Sequence, residues 1–271
     1  MIHYDLDESA YHARPELSST GARTLLPEFK GSPAKYQYKL GRQFNSPAFD
    51  LGKAVHAQVL GTGAAAIAYP ADVLASNGAA STKAAKEWAE QVRAEGMVPM
   101  KADDLRPIVG MTEAVLRHPV ARQLLERATM REVSVFADVD GVGTRCRFDA
   151  LGPDFGVDLK TSARPVDADT FSREVFEYGY HFQQEFYKDT YRASENTDID
   201  FYFLAVEKAA PHLVAVHKLD VEYEAIGRRL TTEARRIYAE CVASGNWPGY
   251  PTDIHLVSPP PWAIDREEIT F

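Results

Sequence analysis

REVSVFADVDGVGTRCRFDALGPDFGVDLKTS, residues 131–162, is the stretch on which the fold turns. In its first third Val133, Val135 and Ala137 alternate with Ser134, Phe136 and Asp138, the two-residue period of a β-strand. DGVG then supplies a turn and TRCRFDALG alternates again, so the two runs predict a hairpin. Past Gly152-Pro153-Asp154, FGVDLKTS reads as a third strand. Working outward towards the C-terminus, 167–179 and 180–193 carry helical periodicity, 199–208 and 212–219 read as strands, and a long helix is predicted from Asp220 to about Ser244. The order β-β-β-α-α-β-β-α implies an α/β fold with a central mixed sheet flanked by helices.

Working outward the other way, residues 18–127 read as helical. Ser18 or Ser19 caps TGARTLL, and FDLGKAVHAQVLG, STKAAKEWAEQVRAEG and DDLRPIVGMTEAVLRHPVARQLLER follow. Gly61, Gly96 and His118-Pro119 punctuate them.

The 271 residues, 45% hydrophobic and 25% charged, are enough for a substantial core, which excludes disordered, collagenous and coiled-coil classes. No window approaches the roughly 18 apolar residues of a membrane span, and the first 17 residues lack the basic and apolar regions of a signal peptide. A soluble cytoplasmic protein with no membrane partner is the expectation. Cys146 and Cys241 are too few for an iron–sulfur cluster, a four-thiolate zinc site or a disulfide framework. A net charge of −9 argues against a broad basic face for nucleic acid while leaving room for a local basic groove.

The chemistry-bearing residues gather on the hairpin and the third strand. Asp158 and Lys160 are two apart, so both side chains share one face of the sheet. Asp149, near the end of the preceding strand, reaches the same point if the two strands pair through the 152–154 turn. Two carboxylates converging beside a lysine suit a hard cation such as magnesium and a substrate whose reaction develops negative charge, as phosphodiester hydrolysis does. Glu132 adds a third acid. Gly52 lies one helical turn before His56, whose neutral imidazole could add a nitrogen ligand. Gln183 and Tyr187 likewise share one helix face; each of these side chains taken alone also fits an ordinary structural role.

Taken together, GxxxH, a Glu at a strand start, RxRFDALG, VDLKT and QxxxY resemble the PD-(D/E)XK nuclease superfamily, in the branch of RecB-type nuclease domains. The chain resembles most the phage exodeoxyribonuclease VIII family, through YHARPELSSTGARTLL, SPAKYQYKL, HPVARQLLE, YGYHFQQEFY, FLAVEK and GNWPGY, which span nearly its whole length. The resemblance implies a restriction-endonuclease-like core (131–271) behind a helical elaboration (1–130), forming one nuclease domain. It also implies a Mg²⁺-dependent exodeoxyribonuclease, with Mn²⁺ able to substitute, that degrades double-stranded DNA 5′-to-3′. The 3′ single strands would feed an annealing protein in phage-type recombination, in the host cytoplasm, and the enzyme would be a homo-oligomer, a ring in the family's manner.

Carried over by position, His56, Asp149 and Asp158 would be metal ligands with the Leu159 carbonyl. Lys160 would stabilise charge or activate water, Glu132 would hold a water or a lysine, and Gln183 and Tyr187 would contact the scissile strand. The third motif departs from the pattern, since Asp158-Leu159-Lys160 has Val157 before it and Phe148-Asp149 stands for the Pro-Asp element. Phosphate contacts are expected from Lys53, Arg145, Arg147, Arg173 and Lys188, and also from Lys35, Lys39, Arg42 and Arg164. The other class of function is a non-catalytic DNA-binding or structural recombination protein on the same fold. It is disfavoured because every member of the acid, lysine and Gln/Tyr set is present.

Overall fold

A computed structural model describes residues 1–4, 6–41, 47–62, 65–95 and 97–260, with the side chains of 47–50 outside the description. Arg42 and Gly96 also lie outside the described residues. The N-terminal part holds β1 (Ile2–His3), α1 (Glu8–Ala13), β2 (Leu17–Ser18), α2 (Ser19–Thr24), α3 (Pro33–Lys39), α4 (Pro47–Leu60), β3 (Ala66–Ala68), α5 (Lys83–Ala94), β4 (Val98–Met100), α6 (Ala102–Arg117) and α7 (Pro119–Arg127). Then come β5 (Met130–Val139), β6 (Val142–Leu151), β7 (Phe155–Ser162), α8 (Ala168–Tyr178), α9 (Tyr180–Glu195), β8 (Asp200–Glu207), β9 (Val214–His217) and α10 (Val221–Ser244). From β5 onward this is the predicted element order. Among the described residues no helix is long and apolar enough to cross a membrane.

Local chemistry explains the boundaries. The Ser18 hydroxyl accepts from the Gly21 N–H and caps α2, while Thr82, Asp167 and Asp220 cap α5, α8 and α10 in the same manner. Pro119 ends the helical run of α6 because it has no N–H to donate, and it restarts the chain as the first residue of α7. Gly179, at φ 70°, turns α8 into α9 in the left-handed region; a Cβ there would meet Phe29 and Arg23 within 3 Å.

The main sheet runs β1-β5-β6-β7-β8-β9, with β2 paired to β6. Antiparallel pairs dominate it; β7 and β8 are parallel, which requires the crossover that α8 and α9 provide. Helices cover both faces. Leu159, Leu204 and Val206 pack with Val55 of α4, Ile108 and Met111 of α6 and Leu124 of α7. On the opposite face Phe148, Phe201 and Phe203 pack with Phe171 and Val175 of α8 and Tyr191 of α9. Phe182 and Phe186 on the outer side of α9 meet Leu230 and Ala234 of α10.

This two-sided cover corrects the alternation expected for the hairpin. Ser134 and Phe136 are buried along with Val133 and Val135, because both faces of the strand are under protein. The sequence reading also missed the strands upstream of β5. Two-residue β1 and β2 are too short to show a period, yet Ile2 pairs with Val135 and Leu17 with Thr144, tying the N-terminal segment to the sheet.

Phe148 is fully buried and its ring contacts Tyr187, Tyr191 and Phe201 at centroid distances of 5.2, 5.9 and 6.0 Å. Phe148→Ala should therefore lower stability by about 3–5 kcal/mol in denaturant unfolding. A loss below about 1 kcal/mol would show that this layer does not hold the sheet against α9.

Candidate metal centre and active site

The site lies where the sheet ladder opens. Between β6 and β7 only Ala150↔Val157 and Leu151↔Gly156 pair, so the strands have parted by Asp149 and Asp158. The Leu159 N–H, left without a strand partner there, donates to Asp149 Oδ2 at 2.6 Å. A matching break occurs in β5. The β5–β6 register skips the Glu132–Asp149 position, and Glu132 sits at φ 50°, a left-handed backbone that costs a non-glycine residue energy and concentrates at functional sites. Glu132 is the third residue of its strand and Asp149 is followed by two more strand residues, so both lie slightly inside the predicted strand ends.

Into this gap α4 places His56. Its Nε2 lies 2.7 Å from the Leu159 carbonyl oxygen and its Nδ1 3.3 Å from Asp149 Oδ2. Gly52, one turn earlier on α4, faces Thr161 of β7, whose Oγ1 would lie 3.8 Å from a Cβ placed there, an ordinary packing distance. His56, Glu132 and Asp149 each offer a ligand atom within 4.8 Å of the others. One imidazole nitrogen and two carboxylates form a hard, oxygen-rich donor set that fits a divalent cation such as Mg²⁺ or Mn²⁺.

Electrostatics shows what such an ion would relieve. Burial pushes the Asp149 carboxyl upward, yet the His56 charge and hydrogen bond, the Leu159 N–H and Lys160 bring it below its ordinary value. Burial lowers the His56 imidazole, but the Asp149 charge and hydrogen bond, helped by Asp158, carry it up to about 9. Burial and the Asp149 charge raise Glu132, against Arg147 and His56. Asp158 is raised by burial and by Asp149, with Lys160 opposing. Each carboxylate thus leans on one cation, Asp149 on His56, Asp158 on Lys160 and Glu132 on Arg147, and a divalent ion would take over the part of the His56 charge.

Asp158 and Lys160 project to the α9 side of β7. Lys160 Nζ is 2.6 Å from Asp158 Oδ2 and donates to Gln183 Oε1 at 2.9 Å, while Gln183 Nε2 donates to Asp158 Oδ1 at 2.5 Å. Gln183 therefore clips the pair in place. Asp158 faces Lys160 and Gln183 more closely than it faces the histidine cluster, and Glu132, expected to hold a water or a lysine, stands among the candidate ligands. Tyr187 is half-buried against Phe148 and Phe201, with burial holding its hydroxyl well above the usual tyrosine range.

The expected phosphate contacts separate. Arg147 Nε pairs with Glu132 at 2.9 Å, and the guanidiniums of Arg145 and Arg147 cover the Tyr11 ring at 4.9 and 5.6 Å. Arg145 also donates to the Tyr11 carbonyl. Lys53 pairs with Glu8, Arg164 with Glu177 at 2.7 Å, and Arg173 is exposed on α8. Lys188 is a correction: at 7% exposure it sits between α9 and α10, 2.9 Å from Glu224, so it neutralises a helix interface and does not meet a strand of DNA. Sequence reasoning missed Tyr180, whose ring lies 4.6 Å from Lys160 Nζ. Its position three residues before Gln183, on the same helix face, was the available signal.

A family model described as a PDDEXK-like domain of unknown function (DUF3799) matches residues 22–258. No curated protein matches the chain. Among solved structures, a candidate exonuclease from Eubacterium rectale superposes with a TM-score of 0.62 at 14% identity, covering 90% of this chain and 88% of that one. That likeness concerns the fold alone. The alkaline exonuclease LHK-Exo from Laribacter hongkongensis, solved also in complex with dAMP, matches at 16% identity over 73% of this chain and 91% of its own, with a TM-score of 0.26 that is too low to bear on the fold. With the family model running from α2 past the last helix, and with the opened ladder carrying its acids and lysine, the chain belongs to the PDDEXK-like family DUF3799.

Proposed function

We propose that the protein is a divalent-metal-dependent deoxyribonuclease that hydrolyses phosphodiester bonds of double-stranded DNA, with magnesium as the working ion and manganese able to replace it. The observation that carries this reading is the convergence of His56, Glu132 and Asp149 beside the Asp158–Lys160–Gln183 clip. Exonucleolytic 5′-to-3′ polarity, an annealing partner for the 3′ strand and a ring-shaped homo-oligomer are supported by the resemblance to the exodeoxyribonuclease VIII family.

His56, Glu132 and Asp149 would hold the ion, with the Leu159 carbonyl beside His56 as a further donor. Once bound, a divalent ion supplies Lewis-acid polarisation of the phosphate and a more acidic water. The chain's own groups do the rest. Lys160, donating to Gln183 and paired with Asp158, presents a fixed positive charge where charge grows on the phosphoryl oxygens. Gln183 removes the freedom of the lysine side chain in advance, so little reorganisation is left for the transition state.

End-labelled linear duplex incubated with and without Mg²⁺ tests the reading. The wild-type chain should degrade it only with the ion, and Asp158→Asn should slow degradation at least a hundredfold while keeping a cooperative unfolding transition. A fully active Asp158→Asn enzyme, or no cleavage by wild type in saturating Mg²⁺ or Mn²⁺, would overturn it. The latter result would favour a DNA-binding protein without chemistry.

Gln183→Ala separates positioning from packing. Gln183 is half-buried and Lys160 still holds Asp158 at 2.6 Å without it, so the melting temperature should stay within about 2 °C, while cleavage falls at least tenfold. A stable, fully active variant would show that the clip plays no part.

A further inference from the structure

A second feature lies just across the α8–α9 turn from Lys160. In a chain of net charge −9, the segment from Arg23 to Lys39 carries four basic residues against one acid, Glu28. The fold closes that segment into a polar cleft of about 160 Å³ lined by Arg23, Thr24, Phe29, Lys30, Lys35 and Lys39. Its shape is fixed from below. Arg23 donates to the Tyr178 carbonyl oxygen and lies 5.7 Å from the Phe29 ring centroid. Gly31 is pressed so closely on the carbonyls of Thr24 and Leu26 that no side chain could stand there, and Lys30 takes a left-handed backbone at φ 56°.

The neighbouring acids do not neutralise this charge. Glu28 turns towards Arg229 of α10 at 3.9 Å, and Glu177, which feels the Lys30 charge, is held by Arg164. Among the described residues Lys35 bonds to neutral oxygens, the Lys30 carbonyl at 2.6 Å and the Tyr250 hydroxyl at 3.5 Å. Lys30, Lys35 and Lys39 are exposed. A cluster of cations rimmed by hydroxyl and backbone groups, with no counter-charge bound to its lysines among the described residues, is a receptor for an anion.

Its position relates it to the catalytic side. Arg23 binds the last carbonyl of α8, the Tyr178 ring contacts the Tyr180 ring at 5.8 Å, and Tyr180 lies against Lys160. Cleft and lysine are thus joined through the single turn Tyr178-Gly179-Tyr180. We infer that this cleft is a phosphate-binding subsite that grips the polynucleotide backbone beside the bond held at Lys160, an inference that rests on the proposed nuclease reading. The phosphate is either an internal phosphodiester or the terminal phosphate of a strand, which share the same charge and oxygen geometry.

The test is binding of fluorescent duplex DNA to the full chain in EDTA, across a series of salt concentrations, for wild type and for Lys35→Gln/Lys39→Gln. Each phosphate neutralised contributes about 0.9 to the slope of log K against log salt, so the double variant should lose about 1.8 of slope and at least tenfold in affinity near 0.1 M salt. Lys35→Arg/Lys39→Arg should restore both, and Lys86→Gln/Lys101→Gln, on α5 and before α6, should change neither. If the variant's deficit appears only on duplex bearing a 5′ phosphate, the cleft takes the strand end; if it is equal with a 5′ hydroxyl, it takes the internal backbone. Equal slopes and affinities for wild type and Lys35→Gln/Lys39→Gln overturn the inference even where wild type cleaves DNA. Failure of wild type to cleave in Mg²⁺ is a separate result that removes the nuclease reading.

Discussion

A buried carboxylate that needs a positive partner organises this molecule. Asp149 is drawn out of the β6–β7 ladder, takes the Leu159 N–H that the ladder leaves free, and faces His56 across 3.3 Å. In a low-dielectric pocket its charge is tolerable only with compensation. Without a metal ion that compensation is a proton on His56, whose Nε2 points at the Leu159 carbonyl while Nδ1 faces Asp149. Both ring nitrogens thus meet acceptors, and the imidazolium occupies electrostatically the place a divalent cation would take. The broken ladder and the left-handed Glu132 both serve that arrangement.

How far this was legible in the sequence follows from the range of each signal. The order of elements from β5 to α10 could be read because most of these segments are long enough to show a period, and because Asp167, Gly179 and Asp220 mark their ends with backbone chemistry. β1 and β2 could not be read, since two residues have no period and their stability comes wholly from partners more than a hundred residues away. The alternation of the hairpin marked its strands but not that helices cover both faces, a fact that only tertiary packing supplies.

The candidate site divides along the same line. The spacing of Asp158 and Lys160 put them on one face, and the one-turn spacing of Gln183 and Tyr187 put them on one helix stripe, as found. What spacing could not give is which partner each group prefers. Arg147 turns to Glu132, Lys188 turns to Glu224, and Tyr180 moves in beside Lys160; each outcome depends on which carboxylate or ring the fold brings near. The acidic net charge proved compatible with a cationic groove because charge is segregated: Arg23, Lys30, Lys35 and Lys39 gather on one short segment while many carboxylates elsewhere are paired on helix surfaces.

The account stands most directly on the charge state of His56. Heteronuclear NMR of the metal-free chain should show its ring titrating near pH 9, because Asp149 and Asp158 outweigh the effect of burial. The proton therefore competes with metal at every pH below about 9, and metal affinity should climb as pH rises from 7 towards 9. Saturating Mg²⁺ at pH 7 should convert the imidazolium to a neutral ring. A metal-free midpoint at or below the ordinary 6.5, or an imidazolium that persists at pH 7 in saturating Mg²⁺, would contradict the claim that proton and metal ion exchange places at Asp149.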